Sequence, residues 1–197
     1  MEDWVHKALA RWPDVPALFG WLSLDRRGRW RIRGEVITRP QIVDTINPNY
    51  AADEHGRWYF QNGPQRGYVS LDYAPLILRA DATGSGVVAH TGQVLHELRA
   101  AFLDEEGSLV LDSECGPGLL VADDLEWALR RMTSPAGEVD EIALAAALDL
   151  PSGSPTALSL SIDGRRLPLQ RLDAAEVPAH FGFVREPQPR EGERWSR

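Results

Sequence analysis

Leu24-Asp25-Arg26-Arg27-Gly28-Arg29-Trp30-Arg31-Ile32 and Leu103-Asp104-Glu105-Glu106-Gly107-Ser108-Leu109-Val110-Leu111 share one nine-residue frame. The skeleton is Leu-Asp-x-x-Gly-x-apolar-x-apolar. Aspartate bonds its own backbone two residues on, and glycine supplies a positive φ, so each stretch reads as strand, turn, strand. A frame repeated at fixed spacing predicts one structural unit used twice. The charges do not repeat, because Arg26 and Arg27 become Glu105 and Glu106.

Working outward, each copy has the same neighbours. In the first half, Trp4, Val5, Ala8, Leu9 and Trp12 fall at helical spacing, and Pro13 and Pro16 close that segment. Trp21–Leu24 and Arg29–Arg33 alternate about the Asp25 bend. Thr38 to Gln41 fits a helix start, with Pro40 where its missing N–H costs little. Arg57–Gln61 and Tyr68–Leu71 flank Asn62-Gly63, a strong hairpin signal. In the second half, residues 101–111 read as a hairpin, 122–132 and 138–148 as helices, and 158–169 as a hairpin around Asp163-Gly164. Residues 177–184 read as an edge strand or cover. Residues 186–197 carry Pro, Glu and Arg without periodicity.

The expected fold is therefore α+β, since paired strands with short helices argue against a parallel sheet. It has two related halves, each β-hairpin–helix–β-hairpin, packed on one another, with an N-terminal helix and a disordered C-terminal tail. The boundaries are 1–79 for the first repeat with its leading helix, 80–93 for a linker around Thr83-Gly84-Ser85-Gly86, 94–185 for the second repeat and 186–197 for the tail.

Composition narrows the function classes. The chain has 197 residues, 43% of them hydrophobic, and a net charge of −8. That apolar share can build a core. Residues 1–79 hold eleven basic and nine acidic side chains, whereas 80–197 hold ten and twenty. An acidic whole argues against nucleic acid, which needs a basic surface. The positive balance of the first half leaves room for a local anion site. Lys7 is the single lysine among 21 basic residues, a bias that a GC-rich genome explains without any functional selection. Cys115 is the sole cysteine, so neither an intramolecular disulfide nor a cysteine-based metal cluster is expected. The acidic start, without an apolar core, and the lack of any long apolar run point to the cytoplasm and away from a membrane.

A family resemblance rests on Gly28-Arg29-Trp30, Gly34-Glu35-Val36-Ile37-Thr38-Arg39, Asn49-Tyr50, Asp53, Gly56-Arg57-Trp58-Tyr59, Gly63-Pro64-Gln65, Val69-Ser70-Leu71 and Ala74-Pro75. This run, covering residues 20–79, resembles proteobacterial proteins known only as domains of unknown function. The resemblance implies tandem repeats of hairpin and helix and a ligand-binding or signalling role. It carries no catalytic residues to transfer.

The residues themselves offer one candidate site. Trp30 and Ile32 face one side of their strand, which turns Arg29, Arg31 and Arg33 to the other. Arg57 opens the second hairpin, Tyr59 and Gln61 follow at alternate positions, and Arg66 lies on the return strand. A guanidinium fork suits phosphate or carboxylate. Arg31, Arg33, Arg57, Tyr59, Gln61 and Arg66 thus form a candidate ligand-binding set for a small anion, with a solvated sheet face as the plainer alternative. Asp53, Glu54 and His55 read as a solvated turn, since three adjacent residues seldom converge on one point. The histidines show no metalloprotease spacing and there is no Gly-x-Ser-x-Gly elbow. Cys115 has no recognisable activating base nearby in sequence.

No catalytic residue, metal ligand or cofactor is expected. The leading expectation is a non-enzymatic small-ligand-binding or signalling module whose partner is an anionic small molecule or a protein. The alternatives are a hydrolase-like enzyme with a site at the junction of the halves, and a structural protein-interaction module.

Overall fold

A computed structural model describes Lys7 and residues 15–196 of the chain. The helix expected over residues 3–12 lies, apart from Lys7, outside the described residues. The described residues are mostly strand with a few short helices, an α+β architecture built on two large sheets. Two compact units divide the chain. The first comprises 1–75 with 182–197, and the second 76–181.

The first unit starts with β1 (Ala17–Leu24), β2 (Trp30–Ile32) and β3 (Glu35–Val36), and continues through α1 (Pro40–Ile46) to β4 (Tyr50–Ala52), β5 (Trp58–Asn62) and β6 (Gln65–Leu71). The sheet order is β3-β2-β1-β6-β5-β4, with β1 and β6 parallel and the other neighbours on this path antiparallel. On one face Leu22, Leu24, Trp30, Val69 and Leu71 share cross-strand rows and are buried. The α1 residue Ile46 is buried with them, and the indole N–H of Trp30 donates to Asn47 Oδ1 at 2.8 Å just past the helix. The opposite face carries Ala17, Phe19, Tyr59 and Tyr68 as a second cluster.

The second unit runs through β7 (Leu76–Ala80), β8 (Val87–Ala89), β9 (Val94–Leu95), β10 (Leu98–Leu103), β11 (Leu109–Ser113) and β12 (Gly116–Leu120). After these come α2 (Leu125–Leu129), β13 (Met132–Ser134), β14 (Gly137–Glu138), α3 (Glu141–Leu148), β15 (Pro155–Ile162), β16 (Arg165–Arg171) and α4 (Val177–Phe181). Its sheet order is β14-β13-β15-β16-β10-β11-β12-β7-β8-β9, with β10 parallel to β16. Matching β1-β2-β3 to β10-β11-β12, β5-β6 to β15-β16 and β4 to β13 reproduces the order of the first sheet. The two sheets are thus consistent with two related halves. Trp30 pairs with Leu24 and is 2% exposed, and Leu109 pairs with Leu103 and is fully buried, so the two frames hold equivalent inward positions.

The frame is a turn, and it occurs more often than its Leu-Asp spelling suggests. Asp25 Oδ1 accepts from the N–H of Arg27 and of Arg29, both at 2.9 Å. Asp104 Oδ1 does the same for Glu106 and Ser108, at 3.0 and 2.7 Å. Asp53 Oδ1 repeats it for His55 and Arg57, at 2.9 and 3.0 Å, between β4 and β5. In each case glycine follows three residues after the aspartate with a φ between +73° and +80°. The frame therefore marks a hairpin turn that the side-chain oxygen closes, and the matching sheet order is the stronger sign of relatedness.

Several sequence expectations change. Residues 80–93 hold β8 and an Asp81-centred turn where a linker was expected, because the glycines there serve turns and not a free chain. The helix expected over 122–132 shortens to a 3-10 turn at Ala122–Asp124 followed by α2, since Met132 already pairs with Leu160 in the sheet. The helix expected from Glu138 starts at Glu141, after Asp140 caps it by accepting from Ala143 N. Val177–Phe181 is helical, not an edge strand. The tail is not disordered. Trp195–Ser196 forms β17 and pairs in parallel with Ala17 and Leu18 of β1. Its order comes from backbone bonds and ion pairs, which leave no apolar periodicity in the sequence.

Among the described residues no helix is long and apolar enough to cross a membrane.

Candidate functional site

The arginine-bearing hairpins fold onto one sheet face, and the distribution of their partners decides what that face can bind. Tyr59 pairs with Tyr68 and Gln61 with Arg66 across β5 and β6, so all four lie on the face of the Phe19 cluster. Arg31 pairs with Ser23, and Ser23 with Ser70, on the same face.

Arg57 is the hub of this face. Its Nε donates to Asp53 Oδ2 at 2.8 Å, and Nη1 donates to Glu193 Oε2 at 2.8 Å and to the Gln188 carbonyl at 3.1 Å. Nη2 donates to the Tyr68 hydroxyl at 2.9 Å and to Glu193 Oε1 at 3.2 Å. All five guanidinium donors are thus used by the protein. The guanidinium also lies 4.4 Å from the centre of the Tyr68 ring, in the range of a cation–π contact. Its side chain is 8% exposed and that of Asp53 2%, so the pair is shielded from water and salt.

The electrostatics follow from this packing. Burial alone would raise the Asp53 carboxyl, but the Arg57 N–H, the Arg57 guanidinium and the His55 N–H outweigh it and hold it below its ordinary value. Burial opposes ionisation of Glu193 too, and Arg57 and the Arg190 N–H again win and lower it. Burial pushes the Tyr68 phenol up to about 12, so it stays protonated and donates to Asp53 Oδ2 at 3.1 Å. Arg57 is a fastener for the C-terminal segment, whose backbone also bonds Leu71 through Arg185 O at 2.8 Å and Ala17 through Arg194 O at 2.9 Å.

The other expected residues divide. Arg31 and Arg29 both reach Asp25 Oδ2, at 3.0 and 2.7 Å, so the first turn uses them internally. Gln61 is fully buried and donates to the Gly63 and Gln65 carbonyls. Arg66 donates to Gln61 Oε1 at 3.2 Å and stacks on Tyr59 at 4.4 Å from the ring centre. Arg33 differs from the rest. It sits just beyond β2 at φ +50°, its N–H bonded to the Trp21 carbonyl at 2.8 Å, and it is exposed.

Arg33 borders a cleft of about 520 Å3. Phe19, Trp21 and Trp195 supply aromatic surface, Arg33, Ser70 and Glu186 supply polar groups, and tail residues 187–189 close one side. Three features make the cleft. β1 advances four residues from Leu18 to Leu22 while β6 advances two from Gly67 to Val69, which bulges Gly20 and Trp21 out of register. Gly20, at φ +77°, takes a conformation that other residues resist. The tail, fastened through Arg57, then brings Trp195 within 6.3 Å of the Phe19 ring. Ser70 Oγ donates to Glu186 Oε2 at 2.9 Å and fixes that wall.

Sequence reading took Asp53 for part of a solvated turn, whereas its side chain is 2% exposed, and it missed Tyr68, Glu193 and the cleft wall at 186–189. The signal for Asp53 was present, because Ala52-Asp53-Glu54-His55-Gly56-Arg57-Trp58 repeats the turn frame with alanine in place of leucine. Nothing local marks Glu193, which meets Arg57 across 136 residues. Among the described residues no group of three His, Cys, Asp or Glu side chains is placed to hold a metal ion.

Comparison with known proteins adds the following. Residues 1–188 match the model of the family DUF2944, described as "Protein of unknown function (DUF2946)". No curated protein matches the chain. Among solved structures, the chain is similar to a DUF1285 family protein from Silicibacter pomeroyi DSS-3, with a TM-score of 0.49 and 17% identity over 80% of this chain and 85% of that one. It is also similar to a DUF1285 family protein from Shewanella baltica OS155, with a TM-score of 0.41 and 16% identity over 53% of this chain and 87% of that one.

Proposed function

The chain belongs to that family of proteins of unknown function, and from its own geometry we propose that it is a non-catalytic small-molecule-binding module. Its ligand is a small anion with a planar body, held in the cleft of the first unit. The observation that carries this reading is the meeting of Arg33 with Phe19, Trp21 and Trp195 around one cleft of about 520 Å3. Ligand clefts of small molecules typically span about 300–1,000 Å3 and combine aromatic walls with a few placed polar groups. Arg33 is the member of the arginine set whose side chain is not engaged by another described residue, so its fork is available to a carboxylate or phosphate. Glu186, which also lines the cleft, accepts from Ser70, and its carboxylate favours a ligand that also carries an N–H or O–H donor. On this reading the expected six-residue set contracts to Arg33, with Trp21 and Trp195 taking the place of Tyr59.

Titrating the full chain with benzoate, indole-3-acetate and adenosine monophosphate tests the reading, with inorganic phosphate as a control. A planar anion should bind with a Kd below about 1 mM. Arg33→Ala should weaken it by about tenfold, the loss expected when one charge-assisted hydrogen bond is removed. Equal affinity of Arg33→Ala and wild type, or no binding of any planar anion, refutes the proposal.

A further inference from the structure

The sheet face under α1 contains a hole that the turn-and-tail machinery does not explain. Leu18, Gly67 and Phe60 are direct cross-strand neighbours, so they form one row on one face. The middle of that row is a glycine and contributes no side chain. A β-carbon built on Gly67 would meet nothing nearer than the Phe60 carbonyl oxygen at 3.9 Å, and Gly67 is not among the residues with positive φ. Neither the backbone nor crowding therefore requires glycine here. What glycine leaves is a cavity of about 220 Å3 beneath Ile42 and Ile46 of α1, bordered by Leu18, Leu22, Ile32 and Phe60. Glycine within a strand marks a bulge or the close approach of a ligand or another backbone, and Gly67 stands where the β1–β6 register shifts.

The walls set the chemistry. The lining is almost wholly aliphatic and aromatic and opens to solvent at Ile42, and an apolar space of about 150 Å3 is already large enough to take up benzene. The polar groups gather at one end, where Asn62 and Gln65 pair across the β5–β6 turn on the same face as Gly67. Ile42 is 37% exposed, which leaves an apolar side chain at the rim of the short helix.

We infer that this cavity is a second binding site, distinct from the cleft, for an uncharged apolar molecule of about eight to ten heavy atoms, a size scaled from the benzene-binding case. Its apolar body fills the place vacated at Gly67, and its one polar group faces the Asn62 carboxamide and Gln65 Oε1, the Gln65 Nε2 already donating to the Pro16 carbonyl at 3.2 Å. Trp21 edges both sites, so test substitutions avoid it.

The probes are indole and 1-octanol, titrated against the full chain by calorimetry and thermal shift. Wild type should bind at least one of them and melt at higher temperature in its presence. Gly67→Leu places a side chain in the cavity and should weaken that binding at least tenfold while the free protein melts no lower than wild type. Arg33→Ala should leave it unchanged, which separates this site from the anion cleft. Should Gly67→Leu fail to fold, Gly67→Ala, whose β-carbon has ordinary room, should still weaken binding of whichever probe wild type takes by a measurable factor. Failure of both probes to bind wild type, or unaltered binding in a folded Gly67 variant, overturns the inference whatever the outcome at Arg33.

Discussion

Arg57 Nη1 donates to Glu193 Oε2 at 2.8 Å across 136 residues of chain. The bond ties the turn that begins the second hairpin to the segment that forms β17. Asp53 holds the guanidinium from the other side, so one arginine links the local turn to the distant tail. The cleft proposed to bind ligand exists only while that tail is in place, because Glu186, residues 187–189 and Trp195 are its outer wall. Arg57, expected to contact ligand, is engaged instead by Asp53, Tyr68 and Glu193 and holds the segment that walls the proposed cleft.

Removing the anchor should cost more than removing the tail contact. Arg57→Ala leaves Asp53 buried without its cationic partner, and breaking a buried pair in this way costs about 3–5 kcal/mol. Glu193→Ala keeps the Arg57–Asp53 pair and should cost less, about 1.5–3 kcal/mol for charge-assisted bonds. Chemical denaturation gives both values. Glu193→Ala should also speed tryptic cleavage after Arg190 and Arg194 and weaken the ligand of the cleft. A tail as resistant to trypsin as wild type would show that β17 pairing alone holds it.

Acid should release the same segment. Asp53 and Glu193 both titrate below their ordinary values in the folded chain. Their contribution is complete above the ordinary carboxylate range and is lost as pH falls through the lowered folded values. Stability should therefore decline as pH drops from about 5 toward 2, with a shallower decline in Arg57→Ala than in wild type. Equal slopes in the two proteins would remove this network from the acid response. Asp25, lowered by its own turn N–H groups and Arg29 against the opposing effect of burial, adds a component common to both proteins.

Hairpins were legible because their signals are local. Asp25, Asp104 and Asp163-Gly164 mark bends within a few residues of the strands they join, and the structure places a hairpin at each. The parallel pairing of β1 with β6 and of β10 with β16 was not legible, since it joins segments that share no turn. Charge-based reading failed for a related reason. Arg29, Arg31 and Arg57 alternate with apolar residues as a solvated or ligand-facing stripe would, yet each pairs with a turn aspartate too near in sequence to look like a site. The bend charges that differ between the two frames also serve their own units: Arg26 lies over Tyr73 at 4.8 Å, and Glu105 accepts from Ala174 N at 2.8 Å.

Trp30 tests the first hairpin as a core element. It is 2% exposed, meets the Tyr50 ring edge-on at 5.0 Å and donates to Asn47. Trp30→Ala should cost about 3–5 kcal/mol, as other large aromatic truncations do. Trp30→Phe keeps most of the packing but leaves Asn47 Oδ1 without the indole donor, and should cost less. An unchanged denaturant midpoint for the alanine variant would contradict the burial.

The turn glycines offer the last test, because the same motif sits in two different surroundings. Gly107 has φ +80°, and a β-carbon there would reach nothing closer than Leu148 Cδ1 at 3.8 Å. Gly107→Ala should therefore show little beyond the left-handed penalty of about 1–2 kcal/mol. Gly56 has φ +73°, but its β-carbon would lie 2.0 Å from the Gly182 carbonyl oxygen. That segment is held there by Val184 N donating to Gly56 O at 2.9 Å and by the Arg57–Val184 bridge. Gly56→Ala must displace backbone, so it should destabilise more than Gly107→Ala and carry the tail with it. Hydrogen exchange should show faster exchange at Val184 in the Gly56 variant and not in the Gly107 variant. Equal costs for the two substitutions, with Val184 still protected, would mean that the 182–184 backbone yields without loss and that the Asp53 turn does not position the tail.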